Sequence, residues 1–276
     1  MQGRARFGRN NRAPANRRLA SPEEQDSEDL AGIAWTGRRH DTLETMRFEA
    51  VIFDLFGTLV DGFVSSASQT TADLATILGA PYEPFMQVWR QTLDMRSDGT
   101  FQSVEAALAH GCESIGIEVS RERMTEAVAM RLKQITSALN PRPDAVKTLE
   151  HLKGNSYKTG LLSNCSIEIP ILWPETPFAA LFNAAIFSCR ECLKKPDPRI
   201  YQLVCERLGV AAEKCLYVAD GENFELAAAA QVGLHPVLIQ NPARDNAKEI
   251  LREAREWRGK TITTLSEVLE IVEREG

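Results

Sequence analysis

From residue 47 onward the chain alternates short, continuous apolar runs with longer stretches whose apolar positions recur at helical spacing. Ala50–Phe53 is an apolar run that ends at Asp54 and is followed by Gly57-Thr58, the pattern of a buried strand entering a loop. Residues 62–140 contain no convincing strand. Helical periodicity appears instead over Ser66–Leu78, Glu83–Leu93, Ser103–Ile115 and Arg121–Leu139, with Ser120 as an N-cap and Asn140-Pro141 as a stop. Asp144–Lys153 reads as a helix ended by Gly154.

Four further apolar runs follow, Thr159–Leu162, Ala184–Phe187, Cys215–Ala219 and Pro236–Ile239, with helices over Pro198–Leu208 and Glu222–Val232. Strand–helix–strand alternation predicts an α/β fold, a doubly wound parallel sheet with helices on both faces. Such sheets carry their sites at the carboxyl ends of the strands, and three of those ends bear Asp54, Ser163 and Asp220. The expected division is a tail over 1–45, a core made of 46–61 and 141–276, and an all-helical cap subdomain inserted over 62–140.

The tail stands apart by charge. Residues 1–20 hold six arginines and no acid, whereas residues 21–45 hold seven acids and two arginines. Without hydrophobic periodicity this stretch buries too little apolar surface to offset ordering entropy, so it is expected to be disordered. Its Arg-rich start is compatible with a transit peptide or a polyanion-binding arm. An upstream extension without function is the plainer reading, because Met46-Arg-Phe-Glu-Ala-Val-Ile-Phe-Asp has the form of a domain start.

The net charge of −6 argues against a nucleic-acid-binding core, which usually presents a basic surface. No stretch approaches the roughly 18 uncharged apolar residues of a membrane span, and a cytoplasmic protein is expected. The six cysteines sit in otherwise hydrophobic segments. Only Cys189 and Cys192 have C-x-x-C spacing, with no second pair to complete a zinc site, so reduced thiols are expected.

Four separated motifs carry the candidate chemistry: Phe-Asp54-Leu-Phe-Gly-Thr58, Leu-Leu-Ser163-Asn164, Lys195-Pro196-Asp197-Pro198 and Val-Ala-Asp220-Gly-Glu-Asn-Phe-Glu225. In this order, with a helical insert between the first two, they resemble the haloacid dehalogenase-like superfamily with an early cap, over about residues 47–243. The resemblance implies a Rossmann-like core and Asp54 as a nucleophile that forms a covalent aspartyl intermediate. A carboxylate becomes a useful nucleophile when it is held in line with an electrophile in a dry site. Thr58 can orient neighbouring groups, Ser163 with Asn164 offers donors to an anionic oxygen, and the family's lysine, matched here by Lys195, offsets the charge of the reacting groups. Lys194 is an alternative to Lys195, although adjacency to Pro196 favours the latter.

Facing carboxylates repel unless a cation lies between them, and hard oxygen ligands suit Mg²⁺. The resemblance places such a metal on Asp54, the backbone carbonyl of Phe56 and Asp220, with Glu225 oriented toward it. The leading expectation is therefore a Mg²⁺-dependent phosphatase acting on a small phosphorylated, anionic metabolite.

One position departs from that pattern. The superfamily's phosphatases carry a second Asp two residues after the nucleophile, and here Phe56 stands there, unable to transfer a proton. The dehalogenating branch departs in the same way, because halide leaves without protonation. Tyr201, six residues after Lys195, and Val88-Trp89-Arg90-Gln91 also resemble that branch, in which a cap arginine holds the substrate carboxylate. Arg90 is the first candidate for this role and Arg96 the alternative; Trp89 and Phe101 are candidate pocket residues. Retention of Asp220 points the other way, since dehalogenases replace that acid and need no metal. A metal-independent 2-haloacid dehalogenase and a non-catalytic ligand- or protein-binding module are the two alternative readings.

Overall fold

The computed structural model describes residues 48–61, 67–240 and 252–274. The expected tail over 1–45 lies outside the described residues. Six parallel strands form one sheet in the order β3-β2-β1-β4-β5-β6: β1 Ala50–Phe53, β2 Lys158–Ser163, β3 Ala184–Phe187, β4 Cys215–Ala219, β5 His235–Ile239 and β6 Lys260–Ile262. β1 and β4 are buried along their whole length, as their unbroken apolar sequences require when both faces of a parallel sheet are covered.

The helices are α1 Ala67–Leu78, α2 Tyr82–Gln91, α3 Leu93–Ser97, α4 Val104–Glu113, α5 Arg121–Ala138, α6 Ala145–Gly154, α7 Glu168–Leu172, α8 Ser188–Glu191, α9 Pro198–Leu208, α10 Glu225–Val232, α11 Arg252–Glu256 and α12 Glu267–Glu273. Ser120 caps α5 by accepting the Arg123 N–H. Asp197 caps α9 by accepting the Arg199 N–H, and Pro198 occupies the first turn, where its missing N–H costs nothing.

Alternation along the strands divides the interior into two cores. On one face Val51, Phe53, Leu216 and Val218 pack with Ala145, Leu149 and Leu152 of α6 and Val268 and Val272 of α12. On the other, Ala50, Ile52 and Tyr217 pack with Ile200, Tyr201 and Val204 of α9 and Leu226 and Ala229 of α10. Gly160 lets α9 approach β2 closely, since a Cβ there would lie 3.0 Å from Leu208 Cδ1. A third core needs no strand: Leu74 and Leu78 of α1, Phe85 and Trp89 of α2, Leu108 of α4, and Met124 and Ala127 of α5 enclose one another. Ile167 packs against both this helical core and the α6 face of the sheet. Among the described residues no helix is long and apolar enough to cross a membrane.

Two segments differ from the expected pattern. The helix expected over Glu83–Leu93 breaks at Thr92, whose Oγ1 bonds the carbonyls of Val88 and Trp89, and the separate turn α3 follows. The helix expected from Glu222 starts at Glu225 instead, because Gly221, Asn223 and Phe224 take left-handed backbone conformations.

Candidate active site at the carboxyl end of the sheet

Asp54 leaves the end of β1 with its N–H on the Val218 carbonyl of neighbouring β4. The chain then turns tightly. The Leu55 carbonyl accepts the N–H groups of Leu59 and Val60, and Gly57, at φ 82°, takes a conformation that a side chain would strain. The buried Asp54 carboxylate is held by Lys195, whose Nζ donates to Asp54 Oδ1 at 2.5 Å and to Glu225 Oε2 at 2.6 Å. Lys194, the other lysine considered, faces outward and pairs with Asp94 at 2.5 Å.

The placement of Lys195 is enforced twice. Asn164 Oδ1 accepts the Lys195 N–H at 2.8 Å, and Asn164 Nδ2 donates to the Lys195 carbonyl at 2.9 Å. Below, the Tyr217 hydroxyl lies 3.3 Å from Nζ and donates to Glu225 Oε2 at 2.6 Å. Tyr201 is buried and donates to the Glu225 backbone carbonyl, so it supports the site from behind. Ser163 Oγ and Thr58 Oγ1 are fully buried with no hydrogen-bond partner, and the Cys165 thiol lies beside Ser163. Unpartnered buried hydroxyls at the carboxyl end of a sheet suit an anionic ligand that arrives with its own acceptors.

Burial pushes the Asp54 carboxyl up to about 7, with the Lys195 ammonium working against that and the Glu225 charge adding to it. Burial pulls the Lys195 ammonium down, but the Asp54 and Glu225 carboxylates outweigh it and hold it above the ordinary lysine value. Two carboxylates and one ammonium leave this cluster one negative charge in excess.

Asp54, Asp220 and Glu225 each present an oxygen within 4.8 Å of the others, an arrangement that could hold a cation. Glu225 is not free to act as a third ligand, which leaves Asp54, Asp220 and the Phe56 backbone carbonyl, the set expected from the sequence, as the groups that would hold a cation. Glu225 already accepts four bonds: Lys195 and Tyr217 on Oε2, and the Gly221 and Glu222 N–H groups on Oε1. The position between Asp54 and Glu225 is taken by the lysine ammonium, and Mg²⁺ demands near-octahedral oxygen ligation. Asp220 Oδ1 accepts the Glu222 N–H and so helps shape the turn that brings Glu225 back toward Lys195. The Phe56 side chain is partly buried and packs against the sheet core.

The two candidate arginines separate cleanly. Arg90 lies on the exposed side of α2. Arg96, on α3, is buried, with its guanidinium carbon 4.0 Å from the centroid of the Trp89 ring. It donates only to backbone carbonyls, Nη2 to Trp89 at 2.9 Å and Nε to Thr92 at 3.4 Å. Phe101 belongs to the helical core and lies against His110. Sequence patterns did not mark Ser188, Tyr217, Arg131 or Glu168. Ser188 follows the end of β3, where the strand-end rule could have found it; its Oγ donates to the Ser97 carbonyl on α3 and accepts the Cys165 N–H. Cys189 is buried, Cys192 is exposed, and all six cysteines are free.

The haloacid dehalogenase-like hydrolase family model matches residues 48–233. The (S)-2-haloacid dehalogenase 4A of Burkholderia cepacia is 31% identical over 69% of this chain and 82% of its own. A phosphatase of Mycobacterium tuberculosis is 28% identical over 63% and 80% respectively. In fold, the 2-haloacid dehalogenase of Pseudomonas syringae pv. Tomato aligns with a TM-score of 0.61 at 22% identity, covering 83% of this chain and all of its own. The leading expectation of a Mg²⁺-dependent phosphatase is corrected by the comparison with known proteins, several of which are (S)-2-haloacid dehalogenases. With the family match across most of the folded chain and the same parallel sheet beneath it, this protein belongs to the haloacid dehalogenase-like hydrolases.

Proposed function

We propose that the protein hydrolyses the carbon–halogen bond of a small 2-haloacid, releasing halide and a 2-hydroxy acid. The observation that carries this reading is Phe56, two residues beyond a buried Asp54. An alkoxide leaving group needs a proton, which a phenyl ring cannot supply, whereas halide leaves as a stable anion. The kinship with (S)-2-haloacid dehalogenases supports the same chemistry.

Lys195 holds Asp54 Oδ1, so Oδ2 is the oxygen that attacks C2 of the substrate. The C2–halogen bond breaks, the halide departs with its electron pair, and an ester links Asp54 to the acid. Water then adds to the ester carbonyl; as the adduct collapses, one of its protons passes to the departing 2-oxygen and the other to solvent, which restores the Asp54 carboxylate and frees the hydroxy acid. Arg96 binds the substrate carboxylate, a role for which exposed Arg90 is less well placed. The Ser163 and Thr58 hydroxyls offer donors to anionic oxygen. No step requires a metal.

Halide release from 2-chloropropionate, measured with and without EDTA beside phosphate release from p-nitrophenyl phosphate, tests this function. Chloride release that persists in EDTA is the expected result. Mg²⁺-dependent phosphate release without chloride release would overturn it.

A further inference from the structure

Arg96 is one member of a buried charge cluster. The Trp89 ring has the Arg96 guanidinium carbon 4.0 Å from its centroid and that of Arg131, from α5, at 5.5 Å. Arg131 Nε donates to Glu168 Oε1 of α7 at 2.6 Å, and the side chains of both are largely buried. Arg96 makes no ion pair among the described residues, since its donors meet only backbone carbonyls. Two guanidinium groups and one carboxylate therefore leave a single positive charge in excess. An uncompensated buried charge is costly, and an arriving anion relieves that cost.

This cluster is tied to the segments that carry the candidate site. Glu168 follows Ser163 and Asn164 on the same short segment. α3, which carries Arg96, is fastened to the rim at Asp94–Lys194 and through Ser97, Ser188 and Cys165. A substrate carboxylate held by Arg96 thus meets a pocket whose charge Glu168 has already reduced from two to one. Burial and the Arg131 charge lower the Arg96 guanidinium to about 10 while Glu168 opposes them. Burial raises the Glu168 carboxyl, but the Arg131 charge and the hydrogen bonds to it outweigh burial and hold it below its ordinary value.

Building on the dehalogenase reading, we propose that Glu168 is a specificity determinant that restricts the site to monoanionic acids, by cancelling the charge of Arg131 and leaving Arg96 to recognise one carboxylate. A second carboxylate on the substrate meets Glu168 at short range in a poorly hydrated pocket, where like charges repel strongly. A purely structural Arg131–Glu168 tie between α5 and α7 would give no such discrimination.

Charge compensation separates the two. Chloride release from 2-chloropropionate, a monoanion, is compared with release from 2-chlorosuccinate, a dianion, in the full chain. Wild type favours chloropropionate. Glu168→Gln raises kcat/KM for chlorosuccinate relative to chloropropionate by about tenfold or more, chiefly through KM. The double variant Glu168→Gln with Arg131→Gln returns the pocket to one positive charge and recovers the wild-type ratio. A ratio unchanged in folded Glu168→Gln, or not restored in the double variant, overturns the proposal. Should Glu168→Gln fail to fold, Arg131→Gln decides: a tenfold rise in KM for chloropropionate supports the assignment and an unchanged KM overturns it. If wild type releases no chloride from either acid, the dehalogenase reading falls on that result alone. Calorimetric binding of propionate and succinate to wild type and Glu168→Gln then judges the charge rule by the same ratio.

Discussion

Asn164 grips the Lys195 backbone on both sides of its Cα, accepting the N–H at 2.8 Å and donating to the carbonyl at 2.9 Å. The side chain following the oxyanion candidate Ser163 thereby fixes the backbone of the lysine that holds Asp54. Replacing Asn164 with Ala removes both bonds and leaves buried backbone groups without their partner, at about 1–3 kcal/mol each. We expect kcat for halide release to fall on the order of 10- to 100-fold together with a clear loss of thermal stability. Steady-state kinetics beside a melting curve check this; unchanged kcat would show that Lys195 is held by other contacts.

Asp54 must be ionised to attack, and burial raises its carboxyl to about 7. Halide release should therefore fall about tenfold per pH unit below that point and level off above it, as a pH–rate profile of kcat/KM would reveal. The same shift acts on stability with the opposite sense. A carboxyl whose folded value exceeds its unfolded value of 3.8 favours folding below that lower value, and the contribution is lost as pH rises through about 7. Asp54→Asn removes the ionisation, leaving Lys195 paired one-to-one with Glu225. The variant should release no halide, yet its melting temperature should gain on wild type between pH 4 and pH 8. A gap that shrinks over that range would contradict the assignment.

Ser188 joins α3 to the segment that follows Ser163 through one oxygen, with its hydroxyl on the Ser97 carbonyl at 2.6 Å and the Cys165 N–H on the same Oγ at 2.9 Å. Ser188→Ala strands both backbone groups. The expected outcome is a destabilisation of roughly 2 kcal/mol together with a several-fold drop in kcat/KM, because α3 and the Ser163 loop lose their common tie. Ser188→Thr retains the hydroxyl and should recover most of the loss if its methyl group is accommodated.

Much of the fold was legible because parallel strands and long helices advertise themselves. β1, β4 and α9 have the expected limits, being continuous apolar runs or, for α9, a run opened by Asp197-Pro198. β6 was not legible: three residues, Lys260-Thr261-Ile262, with only the last buried, carry too little pattern to register as a strand. In the site, Asp54, Ser163, Asn164 and Lys195 stood out through their motifs and strand-end positions. Arg96 could not be separated from Arg90 by periodicity, since the distinction depends on the break at Thr92 that folds α3 back over Trp89. Nor could the chain reveal that Glu225 would be turned onto Lys195; that depends on Gly221, Asn223 and Phe224 taking left-handed conformations.

Ile167 belongs to two cores at once, gripped from one side by the sheet and from the other by the helical layer. It sits on the segment that carries Ser163 and Asn164. Any shift of the helical layer against the sheet would therefore be felt by the segment whose Asn164 side chain fixes the Lys195 backbone.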